Sequence, residues 1–265
     1  MAAGDIHRHP ALNGHHTPYS SLAPLYDRIM AHVEYRSWLR LTREIIATYL
    51  GENPPRVLEI GAGTGTLGRM LLNERLSYFG SDNSFAMCAE ARKKGLPFFC
   101  ADGRRLPVKG PFDLALFLYD GINYLLDRSD FERVFHETHS CLRDGGLLLF
   151  DVTTESNSLR HFYDYLDFED YGESAYVRHS YYEPKSACQY NDFTLFVRAG
   201  NEGADAHYQK QRERHVQRVR SVDEIRGIIP GGRFAVVGVW DGFSFKRYSS
   251  RSDRIHFLLR KKGAG

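Results

Sequence analysis

The chain has 265 residues, of which 42% are hydrophobic and 26% are charged, and its formal net charge is +2. Such a chain is long enough to bury a sizeable core, and one α/β domain with an insertion is the expected organisation. The balanced charge excludes a general electrostatic attraction to nucleic acid or to an anionic surface.

Two further features of composition concern the cellular compartment. No apolar run approaches the length of a membrane span, and the N-terminus has no signal-peptide hydrophobic segment. The four cysteines, Cys88, Cys100, Cys141 and Cys188, show neither a C-x-x-C spacing nor a pairing framework, which is typical of reduced thiols. We therefore expect a cytoplasmic protein without membrane association.

The first predicted segments precede the glycine-rich part of the chain. Residues 1–18 carry four histidines among proline, glycine and alanine, and we expect a flexible tail whose spacing fits no closed metal site. Residues 19–50 follow, and their apolar residues, such as Trp38, Leu41 and Ile45, recur at helical spacing. The sequence therefore predicts a helical cap ahead of the first strand.

A short apolar strand at 57–60 then breaks into a glycine-rich turn. Gly61, Gly63 and Gly65 follow the strand, and helical spacing begins at Thr66. Glycine is needed where the backbone takes positive φ or lets a ligand approach, and the start of a helix offers free N–H groups to an anion. This combination predicts a nucleotide-type cofactor site. Because residues 63–68 also satisfy the G-x-G-x-x-G pattern of dinucleotide-binding folds, the glycines alone do not identify the cofactor.

Strands and helices alternate along most of the remaining chain. The predicted helices are 66–72, 84–94, 130–142 and 222–229. The predicted strands are 57–60, 76–82, 97–103, 112–118, 147–152, 233–240 and 254–259. This alternation predicts an α/β fold with a doubly wound, mostly parallel seven-stranded sheet.

Two segments resemble the class I S-adenosylmethionine-dependent methyltransferases. Residues 59–65, Glu-Ile-Gly-Ala-Gly-Thr-Gly, resemble the E/D-x-G-x-G-x-G of motif I. Residues 144–151 resemble the family's glycine-containing loop and fifth strand, with Arg143-Asp144 where a proline is usual. The resemblance covers roughly residues 40–152 and 220–262. It implies S-adenosylmethionine as the cofactor and an antiparallel last strand.

The resemblance also assigns cofactor-binding residues. Those residues are Tyr26, Glu59, Gly61, Gly63, Gly65, Asp82, Asn83, Asp102, Gly103 and Leu118. Asp82 ends the second strand, where a carboxylate accepts the ribose hydroxyls, although NAD-binding folds share this feature. Asp102 would receive the adenine amino group, or it is a turn or cap residue. The Tyr26 phenol would reach the methionine end, or it packs the helix onto the sheet.

Residues 111–126 resemble the fourth-strand motif of a small-molecule subgroup that carries an inserted β-lid. This subgroup includes sugar-amine N-methyltransferases and relatives of glycine N-methyltransferase. No D/N-P-P-Y motif follows the fourth strand, and the chain has no Pro-Cys pair for cytosine methylation. We therefore expect a small-molecule methyl acceptor, regard nucleic acid as an unfavoured substrate, and leave homodimer formation open.

Residues 153–219 are too long for a simple αβ connection. Runs at 175–182, 187–198 and 207–219 alternate with a period of two, which predicts a three-stranded antiparallel lid. Acidic residues come early in the insertion and basic residues late. One interpretation is that these acidic and basic residues form cross-strand ion pairs on a solvated face. The other is that the basic residues form a rim that binds an anionic substrate.

The candidate catalytic residues are Tyr119, Asp120 and His215. Tyr119 and Asp120 follow the fourth strand, where the reacting centre is expected, but Asp120 could also bind the cofactor or cap the turn. Residues 213–218 resemble an E-x-H-x-x-R segment in the lid of the relatives. Within it, a histidine with a near-neutral pKa could take a proton from an amine or hydroxyl, or serve only as a structural hydrogen-bonding group.

These observations predict a single methyltransferase domain, 19–152 and 220–262, with a lid at 153–219. The predicted reaction is in-line methyl transfer to a nitrogen or oxygen atom of a small molecule. Two alternatives remain open at this point. One is a protein that binds the cofactor without catalysis, and the other is an NAD(P)-dependent oxidoreductase.

Overall fold

The computed structural model describes residues 18–199 and 207–263. The predicted histidine-rich tail therefore lies, except for Pro18, outside the described residues. The helices are α1 Ala23–Ile29, α2 Tyr35–Tyr49, α3 Thr66–Asn73, α4 Phe85–Lys93, α5 Arg128–Cys141, α6 Glu155–His161 and α7 Val222–Ile228. The strands are β1 Arg56–Ile60, β2 Ser77–Asp82, β3 Phe98–Cys100, β4 Phe112–Phe117, β5 Leu142–Thr153, β6 Asp164–Asp170, β7 Ser174–Glu183, β8 Cys188–Ala199, β9 His207–Arg218, β10 Phe234–Asp241 and β11 Arg254–Lys261.

The main sheet has seven strands in the order β10-β11-β5-β4-β1-β2-β3. β11 runs antiparallel to both of its neighbours, whereas β1, β2, β3, β4 and β5 are paired in parallel. The predicted sheet with an antiparallel last strand is thus confirmed. β1 lies between β2 and β4, so the strand order reverses there and leaves a crevice at the carboxyl ends of these strands.

The central strand β4 shows why this sheet is covered on both faces. Leu114 and Leu116 pack on one side with the buried residues of α2 and α3. Ala115 and Phe117 pack on the other side, against the core that contains residues of α5 and α7. A strand that is apolar on both faces can only be accommodated between two layers of helices, as in parallel sheets generally.

The N-terminal helical segment forms two helices with different contacts. Trp38 and Ile45 of α2 are buried against the main sheet. α1 instead packs towards the insertion, where Leu25 and Ile29 share a core with Phe193. α1 therefore bridges the main domain and the inserted sheet.

The insertion forms a separate antiparallel sheet in the order β6-β7-β8-β9. The prediction of three strands was wrong, because β6 adds a fourth strand at the edge. β6 carries four acidic residues in seven and is exposed along most of its length, so it lacks the apolar alternation that predicts a strand. A helix, α6, also precedes the sheet and was not predicted.

None of the helices among residues 18–199 and 207–263 is both long enough and apolar enough to cross a membrane.

Candidate cofactor and acceptor site

A cavity of about 460 Å³ lies between the crevice of the main sheet, α1 and the lid. It brings together residues that are far apart in the sequence. The predicted site residues that line it are Tyr26, Glu59, Gly61, Gly63, Asp82, Asn83, Asp102, Gly103, Leu118, Tyr119, Asp120 and His215. Gly65 is not part of the lining. It takes a left-handed conformation directly ahead of α3.

The glycine-rich turn has the backbone conformation that its sequence predicts. Gly61, Gly63 and Gly65 have φ of +65°, +57° and +77°, a region that favours glycine. A Cβ at Gly61 would come within 2.9 Å of the Phe117 ring, and one at Gly63 would lie 3.6 Å from the Tyr26 ring. The turn therefore presents bare backbone to the cavity, with Tyr26 beside it.

Glu59 lies behind this turn and is only 5% exposed. Its carboxylate accepts a hydrogen bond of 2.6 Å from the Tyr78 hydroxyl. Burial raises the pKa of Glu59 to about 7, although the bond from Tyr78 opposes the shift. The role of Tyr78 was not predicted, because nothing in the local pattern of β2 indicates that its hydroxyl meets Glu59.

Asp82 is held at the end of β2 by backbone donors. One carboxylate oxygen accepts the N–H of Gly63 at 2.9 Å, and the other accepts the N–H of Ser84 at 2.8 Å. Burial raises the pKa of Asp82, and these hydrogen bonds act against the rise. Each carboxylate oxygen keeps a second lone pair, so Asp82 could also accept hydroxyl groups from a ligand.

Asp102 is held by Arg104, which was not predicted as a site residue. The Nε of Arg104 lies 2.9 and 3.0 Å from the two carboxylate oxygens of Asp102, and the same guanidinium pairs with Asp130 at 3.0 Å. Burial by itself raises the pKa of Asp102, but Arg104 outweighs it and holds that pKa below its usual range. Asp102 is therefore an ionised acceptor at the edge of the cavity.

Tyr119 and Asp120 follow β4 with left-handed backbone, at φ of +58° and +50°. The carboxylate of Asp120 accepts hydrogen bonds from Arg254 at 2.9 Å and from Gln217 at 2.6 Å. Arg254 also pairs with Asp151, which in turn accepts the backbone N–H of Asp120 at 2.9 Å. Strained backbone held by a buried ion-pair network is typical of functional sites.

Arg254 and Asp151 were not predicted as site residues. Arg254 begins β11 and lies beside Thr153 at the end of β5. An antiparallel strand starts at the edge of the sheet where the parallel strands end, which brings Arg254 to the cavity. The antiparallel direction implied by the resemblance was the signal that could have identified it.

His215 lies on β9 and is 1% exposed. Its Nδ1 is 3.1 Å from the hydroxyl of Tyr124, and its Nε2 is 3.2 Å from the carboxylate of Glu213. The Tyr124 hydroxyl is also 2.6 Å from that of Tyr19. Because both ring nitrogens are engaged, a proton exchanged between His215 and a ligand would pass through Tyr124.

Among residues 18–199 and 207–263, no three His, Cys, Asp or Glu side chains are grouped so that they could hold a metal ion.

The strand-order reversal, the glycine turn after β1, the acids after β2 and β3 and the antiparallel final strand define one class of protein. They are the features that the resemblance to the class I S-adenosylmethionine-dependent methyltransferases implies. The bare turn and the anchored Asp82 fit S-adenosylmethionine as the cofactor.

Comparison with known proteins agrees with this assignment. Residues 57–146 match the family model described as "Methyltransferase domain". A protein of Geobacillus sp. (strain WCH70), named "Putative methyltransferase", is 28% identical over 249 residues, which are 92% of this chain and 99% of that protein. The chain thus contains a methyltransferase domain, and the predicted resemblance, S-adenosylmethionine-dependent methyltransferase activity and cofactor are confirmed.

Solved structures extend the likeness to the lid. An S-adenosylmethionine-dependent methyltransferase from Clostridium acetobutylicum ATCC 824 superposes with a TM-score of 0.75 at 24% identity, covering 92% of this chain and 99% of that one. The sugar N-methyltransferase KedS8 from Streptoalloteichus sp. ATCC 53650 superposes with a TM-score of 0.72 at 16% identity, covering 99% of each chain. At these identities the likeness establishes the fold, which includes the inserted sheet.

Proposed function

We propose that this enzyme transfers a methyl group to a nitrogen or oxygen atom of a small molecule. The observation that supports the proposal is the shared cavity, about 460 Å³ in volume, which is lined by the cofactor loop, α1 and the inner face of the lid. This volume lies in the range of about 300–1,000 Å³ that is usual for small-molecule sites. Cover by α1 and the lid favours a compact acceptor over a polymer.

The residues that we propose for the cofactor follow from their places around the cavity. S-adenosylmethionine supplies a methyl group that its sulphonium already activates, so the main task of the protein is placement. Asp82 and Asn83 would bind the ribose, and Asp102 and Gly103 the adenine. The remaining candidates are Tyr26, Glu59, Gly61, Gly63 and Leu118, which line the cavity, and Gly65, which lies directly ahead of α3.

Asp120 is our candidate for accepting a proton from the methyl acceptor. Its carboxylate lines the cavity and is oriented by Arg254 and Gln217. Burial raises the pKa of Asp120, although Arg254 opposes the rise, and a raised pKa makes the carboxylate a better base. Tyr119 is less suited to this role, because burial raises the pKa of its phenol to about 12 and keeps it protonated at neutral pH.

His215 would act less directly than Asp120. With Tyr124 on one ring nitrogen and Glu213 on the other, it can orient the Tyr124 hydroxyl or exchange a proton through it. We propose a positioning role for His215 on this basis. A cytoplasmic location and homodimer formation stay predictions from the sequence.

The first experiment is calorimetric titration of the protein with S-adenosylhomocysteine, with NAD and NADPH in parallel. We expect S-adenosylhomocysteine to bind and NAD and NADPH not to bind. Asp82→Ala should lower the affinity for S-adenosylhomocysteine. Labelled S-adenosylmethionine would then be incubated with a small-molecule extract and, separately, with RNA and DNA. Label in the small-molecule fraction supports the proposal, whereas label in nucleic acid alone, or in neither, would refute it.

A further inference from the structure

The inner face of the lid forms one wall of the cavity and carries several polar side chains. On β7, Arg178 lies opposite Asp167 of β6 and Phe193 of β8 in the strand register. Gln189 and Asn191 of β8 line the cavity together with Arg178. Polar side chains on the buried face of a sheet need hydrogen-bond partners. A buried polar atom on this face without a partner therefore indicates a position that a ligand atom can occupy.

Arg178 is only partly satisfied by the protein. Its Nη2 donates to the carboxylate of Asp167 at 2.9 Å. Its Nε is buried and has no hydrogen-bond partner within residues 18–199 and 207–263. The guanidinium lies 5.9 Å from the ring centre of Phe193, so one flank is apolar. A permanently charged donor that is desolvated without an acceptor is costly, and a ligand atom that accepts from it would remove the cost.

The neighbouring amides also present donors. The side-chain oxygen of Asn191 accepts the Ser180 hydroxyl at 2.6 Å, and that of Gln189 accepts the Ser158 hydroxyl at 2.8 Å. Each of these amide oxygens therefore already accepts one hydrogen bond within the protein, and their NH₂ groups can donate to a ligand. This part of the wall offers hydrogen-bond donors and calls for an acceptor-rich ligand group.

The acidic residues on the same side are already neutralised. Asp167 accepts from Tyr176 at 2.8 Å as well as from Arg178. Glu213 accepts three backbone N–H groups and contacts His215. A cationic group placed beside Arg178 would meet a like charge, whereas an oxyanion would meet the guanidinium and the amide NH₂ groups, with the Asp167 carboxylate held by Arg178.

Arg178 lines the same cavity as Tyr119 and Asp120. Its charge lowers the pKa of Tyr119, against the burial that raises that pKa to about 12. A ligand bound by Arg178 would thus share the cavity with the residues that follow β4.

We propose that Arg178, aided by the amides of Asn191 and Gln189, binds a carboxylate of the methyl acceptor, so that the acceptor is an anionic small molecule. The inference rests on the proposed transfer to a small molecule and narrows its substrate class. A guanidinium presents parallel N–H donors that match the two oxygens of a carboxylate.

The test uses matched probes that differ only in the carboxylate. Phenylacetate is compared with phenylacetamide, and β-alanine with β-alaninamide, by calorimetry on the protein saturated with S-adenosylhomocysteine. We expect each carboxylate to bind at least about tenfold more tightly than its amide, as a charged hydrogen bond allows. Arg178→Met combined with Asp167→Asn, which avoids an unpaired acid, should abolish this preference without changing S-adenosylhomocysteine affinity.

Arg214→Met is the matched control. Arg214 lies on β9, between the inward-facing Glu213 and His215, and pairs with Asp192 rather than lining the cavity. It should keep the preference for carboxylates. Equal binding of acids and amides, no binding of either acid, a preference that survives in the double variant, or its loss in Arg214→Met would each overturn the inference. Absence of methyl transfer to any small molecule would instead overturn the proposed function, whatever the probes do.

Discussion

The carboxylate of Glu213 accepts the backbone N–H of Tyr19 at 2.8 Å, although the two residues are 194 positions apart. The same carboxylate accepts the backbone N–H groups of Ser21 and Leu22, just ahead of α1. A strand of the lid thus holds the start of the helix that covers the cavity. Tyr19 in turn places its hydroxyl against Tyr124, which links this contact to His215.

Replacement of Glu213 by glutamine tests this contact. In glutamine, an NH₂ donor replaces one of the two carboxylate oxygens that accept the backbone N–H groups of Tyr19, Ser21 and Leu22. We therefore expect the free energy of unfolding to fall by about 2–3 kcal/mol. Urea denaturation measures it. Glu183→Gln, at an exposed position, is the control. If both variants lost the same free energy of unfolding, the hydrogen bonds of Glu213 to the start of α1 would not stabilise the fold.

The glycine turn gives a second prediction, on stability. Gly65 and Gly95 both have left-handed backbone. A Cβ at Gly65 would overlap Leu96, whereas at Gly95 no atom of the part of the chain that the structure describes lies within 4 Å. Gly95→Ala should cost about 1–2 kcal/mol through backbone strain alone. Gly65→Ala should cost clearly more, because steric overlap adds to the strain. Thermal unfolding compares the two, and equal melting temperatures would contradict the packing at Gly65.

Glu59 gives a prediction on pH. Its pKa is raised to about 7 by burial, from an ordinary value of 4.5, so the folded protein binds the proton more tightly than the unfolded chain does. The contribution of Glu59 to stability is therefore full below pH 4.5 and declines as the pH rises through 7.

Glu59→Gln should remove that decline. Because one pKa unit corresponds to about 1.4 kcal/mol, the loss of stability between pH 5 and pH 8 should be smaller in the variant by up to about 3 kcal/mol. Denaturation of both proteins at the two pH values measures the difference. An identical pH dependence would mean that Glu59 is ionised in the fold throughout.

Asp120 gives a prediction on catalysis. If it accepts the proton of the acceptor, Asp120→Asn should lower kcat by about 10²-fold or more. Asparagine keeps an oxygen for Arg254, so S-adenosylhomocysteine affinity should change little. Single-turnover methyl transfer and calorimetry separate the two effects. An unchanged kcat would remove Asp120 from the chemistry, and Asp127→Asn, ahead of α5, controls for general loss of charge.

The predictions from sequence succeeded where the pattern is local. The apolar run of β4 and the glycines after β1 predicted a parallel strand and a turn, because both depend on residues close together in the chain. They failed at β6, which was not predicted as a strand because its sequence is acidic. β6 is a strand through its antiparallel pairing with β7. A strand that depends on such pairing with its neighbour in the sheet cannot be recognised from its own residues.

The features of the site also fall into those that the sequence predicts and those that depend on tertiary contacts. The order of strands, the glycine turn and the acids at strand ends follow from the sequence, because a parallel sheet brings the ends of its strands to one edge. Only the tertiary structure decided that Arg254 pairs with Asp120, that Tyr78 binds Glu59, and that the Nε of Arg178 faces no acceptor among the described residues. Each depends on which distant side chains meet and on how far water is excluded from them, and no local periodicity encodes either.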